Sequence, residues 1–299
     1  MLNVSEKYKN ELPQVMLDFL DYCSSASQRK SEHTVINYAL DLKKWFNYQF
    51  KGNLEITAED INKLELIDLD KFVGSLTNLS SSTVLRQIAT IKSFYKYLIK
   101  YKMIRYNIAI DIDTPKKQKR SPKYLTVKEI TKLINVIDKM NVRYPERDKA
   151  ILVMFLGTGV RLSELVNTKK SDIKDGMLRV VGKGDKERFV PLSDNVKKAI
   201  KEYSRVRENI DCDTLFITER DTKFNITAMT HLVKKYLTRA GLKEYSTHKL
   251  RHTAATEWYE NHTDIKKIQE LLGHESIETT LKYTHGNKDL KDVVNNVRW

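Results

Sequence analysis

Gly157-Thr158-Gly159-Val160-Arg161-Leu162-Ser163-Glu164-Leu165 packs a helix end, a glycine turn and a new helix start into one short run. An apolar helix leads into it, and the second helix begins near Arg161. An arginine in a first helical turn lies beside free backbone N–H groups, a position that favours a bound anion. Its planar fork can hold two phosphate oxygens at once. Taken alone, Arg161 reads more readily as a surface arginine beside a loop.

Working outward, Thr126-Val127-Lys128-Glu129 is a capping box, and helices follow to about Leu156. On the other side, Gly176-Met177-Leu178-Arg179-Val180-Val181 and Arg188-Phe189-Val190-Pro191-Leu192 predict two strands. The turn between them, Gly182-Lys183-Gly184-Asp185-Lys186, is rich in glycine and charge. From Asp194 onward the chain reads as helical again. The fold class is therefore mainly α with a small antiparallel β-sheet (α+β).

Further upstream, Asp113-Thr114-Pro115-Lys116-Lys117-Gln118-Lys119-Arg120-Ser121-Pro122-Lys123 carries two prolines around a basic run without an apolar residue. Proline removes a backbone donor and disfavours helix before it, so this stretch predicts an extended linker. It is either a solvated tether or a basic strap along a nucleic-acid backbone. Before it the pattern is helical. A helix starts after Ser31, with Val35, Tyr38, Ala39, Leu42, Trp45 and Phe46 at steps of three and four. Asp60 to Leu76 holds one or two shorter helices. Another begins near Ser80, with Leu85, Ile88, Ile91, Phe94, Tyr95 and Leu98 as its stripe, and Arg86, Gln87 and Lys92 off it. The expected organisation is a four- or five-helix domain over 1–112, a basic linker over 113–126 and a second domain over 127–299.

The chain has 299 residues, 40% of them apolar, which suits two folded domains and excludes disorder by composition. Lys+Arg 53 against Asp+Glu 39 gives a net charge of +14, a balance that favours polyanion partners. That excess falls as +2 in 1–112, +4 in 113–126 and +8 in 127–299. No apolar run approaches the roughly 20 residues that span a bilayer, and no secretory leader is evident. Cys23 and Cys212 are far apart without metal-type spacing, so neither a disulfide framework nor a zinc site is expected, and the default compartment is a reducing cytoplasm.

Cleaving a phosphodiester without a metal needs fixed cationic donors, an aimed nucleophile and a proton for the leaving oxygen. His248-Lys249-Leu250-Arg251-His252 places His248 and Arg251 on one helix face. Leu271-Leu272-Gly273-His274 ends a helix at a glycine, with His274 at the turn, and Tyr283 follows in Thr279-Thr280-Leu281-Lys282-Tyr283-Thr284-His285. Lys183 on the hairpin turn could reach a leaving oxygen, with Lys186 and Arg188 competing for that role. Each of these has an ordinary structural reading: a helix-end salt bridge, a packed tyrosine, a solvated lysine.

In order and spacing together, these boxes resemble the tyrosine recombinase, or phage integrase, family, most closely its Xer-type site-specific recombinases. The resemblance covers residues 124–290 strongly and the N-terminal helices more loosely, through Thr34-Val35-Ile36-Asn37-Tyr38 and the Ser80–Tyr101 helix. It implies a core-binding N-domain, a catalytic domain and DNA strand cleavage through a 3′-phosphotyrosine. It implies that Arg161, Arg251 and His274 hold the scissile phosphate and that Lys183 protonates the leaving 5′ oxygen. His248 assists proton transfer, Tyr283 attacks, and Glu164 orients neighbouring basic groups. No cofactor and no metal is implied. The implied partners are double-stranded DNA with paired inverted half-sites and a homotetramer or heterotetramer exchanging strands through a Holliday junction, with no membrane. Location would be cytoplasmic, on the nucleoid. The tail 290–299, with Val293, Val294, Val297 and Trp299, would dock into a neighbouring protomer or pack on its own domain. Expected DNA contacts are Ser82, Thr83, Arg86 and Lys92 on the N-domain helix and Lys116, Lys117, Lys119 and Arg120 on the linker. The competing readings are a type IB-like topoisomerase, a catalytically inactive DNA-binding relative and a helical RNA-binding protein. Within the family, chromosomal resolution and mobile-element integration both stay open.

Overall fold

Ser31 and Ser80 cap the two longest helices of the N-terminal half, each side chain accepting from a backbone N–H three residues on, at 3.3 Å. The computed structural model describes residues 4–115, 123–182, 186–207 and 212–273. The chain divides into two compact units, Met1–Lys119 and Arg120–Trp299.

The first unit contains α1 (Val4–Tyr8), α2 (Gln14–Ser24), α3 (Glu32–Phe50), α4 (Ala58–Asn62), α5 (Leu66–Gly74), α6 (Ser81–Lys100) and a 3-10 turn, Ile108–Asp111. The sequence predicts four or five helices here. The described residues form six, because α1 and α4 are single turns too short for a periodic signal. Phe19, Trp45, Phe46, Phe94 and Tyr95 are fully buried. Phe94 meets Phe19 and Trp45 edge to face at 5.3 and 6.0 Å, favourable geometries for aromatic pairs. The buried stripe of α6 is wider than the sequence suggests. Val84, Gln87 and Thr90 are buried and Leu85 is only half-buried. Asp41, 3% exposed, causes part of this: it accepts hydrogen bonds from Thr90 and Arg86, drawing polar residues inward.

The second unit contains α7 (Val127–Asp138), α8 (Pro145–Thr158), α9 (Leu162–Asn167), β1 (Ile173–Lys174), β2 (Met177–Val181), β3 (Glu187–Pro191), α10 (Asp194–Val206), α11 (Ile226–Arg239), α12 (Thr247–Glu260) and α13 (Ile265–Leu272). Thr126 and Glu129 form the expected capping box. The sheet is antiparallel in the order β1-β2-β3, with Leu178 opposite Val190 and Val180 opposite Arg188. The third strand, β1, escapes a pattern reading because it is two residues long.

Helix α8 is the spine of this unit and packs against both α10 and α12. A Cβ at Gly157 would lie 2.4 Å from Val196, so only glycine lets α10 come this close. The expectation of continuous helix after Asp194 does not hold across 212–225, which is irregular. Two buried arginines hold its carbonyls. Arg207 donates to Cys212 and Leu215 at 2.7 and 2.8 Å, and Arg147 donates to Ile217 at 3.1 Å. Arg147 is neutralised by Asp148 at 2.7 Å, which also accepts from the Tyr236 hydroxyl. These charge-assisted bonds satisfy backbone carbonyls that have no helix or strand partner. Among the described residues, no helix is long and apolar enough to cross a membrane.

Candidate active site

Gly159 closes α8 in the left-handed conformation, with φ 58°, and a Cβ there would meet Leu272 at 3.0 Å. That turn lets the chain leave α8 and start α9 at once, with Arg161 as the extended residue before its first turn. The Arg161 backbone N–H donates to Glu164 at 2.7 Å, and its Nη1 reaches the same carboxylate at 2.9 Å. Glu164 thus accepts from the backbone N–H of the residue before the helix, the half of a capping box that an arginine at the cap position allows.

Glu164 is 7% exposed and is the hub of the site. From β3, Arg188 grips it with two parallel bonds, Nη1 at 2.9 Å and Nη2 at 2.8 Å. From α12, the Nη1 of Arg251 lies 3.9 Å away. Burial would raise the Glu164 pKa. The Arg188 bonds, the Arg161 N–H and the surrounding positive charge outweigh it and bring the carboxyl down to about 2. The carboxylate is thus ionised, and it sets the geometry of the guanidiniums around it.

The same three arginines close the end of α13. Arg188 Nε donates to the Leu271 carbonyl at 2.8 Å, Arg251 Nη2 to Leu272 at 2.6 Å, and Arg161 Nη2 to Gly273 at 3.0 Å. Arg251 also donates to the Gly159 carbonyl at 2.6 Å. Carbonyls at a helix C-terminus lack intrahelical partners and carry partial negative charge, so cations are favoured there. Gly273, with φ 64°, leaves room for this: a Cβ would sit 3.1 Å from Arg188 Nη1.

His248 lies one turn before Arg251 on α12 and stays exposed. Partial loss of water and repulsion by Arg251 and Arg161 lower its pKa, favouring the neutral imidazole at neutral pH. Its ring meets that of His252 edge to face at 4.8 Å. Arg161 keeps 41% of its side chain exposed, whereas Arg251 keeps 2%. The site therefore offers an accessible cation, a buried cation and a proton-accepting imidazole around one carboxylate. Among the described residues, no three His, Cys, Asp or Glu side chains gather as a metal site would need.

Of the residues expected from sequence, Arg161, Glu164, His248 and Arg251 converge here. Lys183, His274 and Tyr283 lie outside the described residues, as do Lys116, Lys117, Lys119 and Arg120. Gly182 and Gly273, next in sequence to two of them, both border the cluster: Cβ atoms there would lie within 4 Å of Glu164 and of Arg188. On α6, Ser82 and Thr83 surround the Ser80 hydroxyl at 2.9 Å. Arg86 pairs with Asp41, and Lys92 Nζ donates to the Ile110 and Ile112 carbonyls at 3.2 Å. All four expected DNA contacts on α6 thus have partners inside their own unit.

Arg188 is the residue that sequence reasoning missed, having been considered only as a rival to Lys183. The available signal was strand alternation: Arg188 sits two positions from the buried Val190 and so faces the same side of β3.

Comparison with known proteins agrees with this geometry. The Phage integrase family model matches residues 123–289, and the model of the phage integrase N-terminal SAM-like domain matches residues 18–102. The tyrosine recombinase XerC of Caldanaerobacter subterraneus subsp. tengcongensis is 39% identical, over 95% of this chain and 86% of its own length. The tyrosine recombinase XerD of Oceanobacillus iheyensis is 32% identical, over 88% and 91%. The crystal structure of XerA recombinase superposes with a TM-score of 0.52 at 30% identity, covering 92% of this chain and 94% of that one. The XerH site-specific recombinase bound to palindromic difH substrate shares the fold at 23% identity, with a TM-score of 0.73 over 95% and 89%. With two family models matched in chain order and relatives of this identity along most of its length, the chain belongs to the phage integrase family of tyrosine recombinases and is a site-specific DNA recombinase.

Proposed function

We propose that this recombinase cleaves and rejoins duplex DNA through a 3′-phosphotyrosine formed on Tyr283. The observation that carries the reading is the convergence of Arg161, Arg251 and His248 from two separate helices around the ionised Glu164. Arg161 and Arg251, joined by His274, bind the non-bridging oxygens of the scissile phosphate and stabilise the charge that develops there. The Tyr283 oxygen forms the bond to phosphorus, the bond from phosphorus to the 5′ oxygen breaks, and Lys183 gives that oxygen its proton. The neutral His248 receives the tyrosine proton. Attack by a 5′ hydroxyl on the phosphotyrosine reverses the step and regenerates the tyrosine, so rejoining consumes no ATP.

Arg251 already donates to two carbonyls. Engaging a phosphate exchanges these carbonyl oxygens for phosphate oxygens.

The N-terminal unit supplies a second DNA-binding surface through α6, where Ser82, Thr83, Arg86 and Lys92 lie, and the linker adds Lys116, Lys117, Lys119 and Arg120. Two inverted half-sites recruit four protomers, of one kind or two, which exchange strands through a Holliday junction. Chromosomal resolution of the Xer type is the first reading, since relatives named XerC and XerD match most of the chain, and integration or excision of a mobile element is the alternative. Either role places the protein on DNA in the cytoplasm.

The test is to mix the protein with a pool of nicked duplexes, without metal, and to look for complexes that survive denaturant. An adduct that maps to Tyr283 and a 3′ phosphate, absent from Tyr283→Phe, is expected. An adduct that persists in Tyr283→Phe refutes the named nucleophile. Relaxation of supercoils without strand exchange would instead identify a topoisomerase.

A further inference from the structure

Each arginine of the site has a different share of protein and solvent. Arg161 is open to solvent, and Arg251 is buried but bonded mainly to carbonyls. Arg188 is 12% exposed at its side chain and spends both Nη groups on one carboxylate and its Nε on the end of α13. It joins three parts of the site: the hairpin strand β3, the Arg161–Glu164 turn and the last turn of α13.

We infer that Arg188 is a positioning residue for strand cleavage: it orients the Glu164 carboxylate towards Arg161 and Arg251 and ties the end of α13 to the same point. The inference rests on the proposed role of the Arg161–Arg251 pair. A bidentate fork fixes the plane of the carboxylate, which a point charge does not. With that plane fixed, Glu164 presents Oε1 to Arg161 Nη1 and Oε2 to the Arg161 N–H, so the first arginine cannot rotate freely. The third bond, to Leu271, holds the chain two residues before Gly273, whose carbonyl Arg161 takes. Loss of Arg188 frees the carboxylate to turn and the end of α13 to drift. Displacements of about 1 Å in a positioned group are enough to cost about a hundredfold in rate.

The charged groups facing Glu164 among the described residues are Arg161 from the start of α9, Arg188 from β3 and Arg251 from α12. Arg188 supplies the strongest influence opposing the effect of burial on this carboxyl. Without it, Glu164 takes up a proton at a higher pH. Lysine at the same place keeps a charge beside Glu164 but cannot form the fork or reach Leu271 in the same way.

The experiment uses the full chain, with Arg188→Gln and Arg188→Lys beside the wild type. The readouts are adduct formation on nicked duplex, duplex binding and Tm. Both variants should bind duplex within about twofold and cleave at least about tenfold more slowly. The acid limb of cleavage should begin at a higher pH in Arg188→Gln than in the wild type or Arg188→Lys, as Glu164 takes up its proton sooner. Carbon NMR of the glutamate carboxyls in the free protein reads the same coupling without any cleavage. The Glu164 midpoint should rise from about 2 in Arg188→Gln and stay low in Arg188→Lys. Wild-type cleavage in Arg188→Lys would overturn the inference, and so would an unmoved Glu164 midpoint in Arg188→Gln. If Arg188→Gln fails to fold, Arg188→Lys carries the test alone: slowed cleavage with duplex binding kept supports the inference. If the wild type forms no adduct, the proposed reaction fails, and the Glu164 titration still decides what Arg188 does.

Discussion

Replacing Glu164 with glutamine removes the one negative charge among three guanidiniums and changes almost nothing in shape. Glutamine resembles the protonated acid, so the effect on stability can be worked from the carboxyl's own titration. The folded protein brings Glu164 down to about 2 against an ordinary value of roughly 4.3. At about 1.4 kcal/mol per unit of pKa, the ionised form contributes about 3 kcal/mol to folding. Because the folded pKa is the lower one, this contribution is complete above the unfolded value and is lost as pH falls towards the folded one. The gap between wild type and Glu164→Gln should therefore be full at neutral pH and shrink to about half near pH 3. Turning an amide N–H towards a guanidinium adds to the cost, within the range of about 3–5 kcal/mol seen when one partner of a buried pair is removed. The assay is amide hydrogen exchange on the full chain, read by peptide. The most protected peptides of 123–273 should exchange about two orders of magnitude faster in the variant at neutral pH, while those of 4–115 serve as an internal control. A gap below about 1 kcal/mol, or one that stays constant from neutral pH to pH 3, would refute the reasoning.

Arg161→Ala and Arg251→Ala should separate stability from chemistry. Arg161, 41% exposed, should cost at most about 1.5 kcal/mol of stability but about a hundredfold in adduct formation. Arg251, 2% exposed, should lower both, with a stability loss of about 3 kcal/mol or more by thermal denaturation. His248 should titrate below the ordinary histidine range by NMR and move up in Arg161→Ala, since a repelling charge has gone; a downward move would contradict the cause assigned to its shift. In the N-terminal unit, Lys92→Ala should reduce the slope of log affinity against log salt by about 1, because its partners, the Ile110 and Ile112 carbonyls, are neutral, while Arg86→Ala changes it less, since Arg86 is already paired with the Asp41 carboxylate. Deleting 290–299 should weaken pairing of two bound duplexes and spare binding of one; unimpaired recombination would remove the docking role of that tail.

Local chemistry made much of this legible in the sequence. Ser31, Ser80 and Thr126 announce helix starts because a cap acts within three residues, and Gly182 and Lys186 announce a hairpin because a turn is closed by near neighbours. The Arg161 turn could be read for the same reason. What stayed hidden depends on partners distant in the chain. Asp41 lies 45 residues before Arg86, and Arg147 reaches Ile217 across 70, so neither pair leaves a periodic trace. Within the irregular segment 212–225, the carbonyls of Cys212, Leu215 and Ile217 are held by Arg207 and Arg147. Gln87 falls off the apolar stripe in the sequence yet is buried. Arg188 combined both problems: its alternation pointed inward, its charge pointed outward, and only Glu164, 24 residues earlier, resolves the conflict.

The arrangement around α13 suggests why a phosphate site can exist here without collapsing. Three guanidiniums brought together in a partly buried place repel one another, and one carboxylate cannot neutralise all three. The free protein supplies the remaining negative character as three successive carbonyls, Leu271, Leu272 and Gly273, one to each arginine. A helix C-terminus carries roughly half an elementary charge, enough to hold the cations in place but less than a phosphodiester brings. An entering phosphate can therefore displace carbonyl oxygens from Arg161 and Arg251 in a favourable exchange, while Arg188 keeps the carboxylate and the end of α13 anchored. On this view the cost of assembling the cations is met during folding, and the site reaches DNA with its donors already aimed.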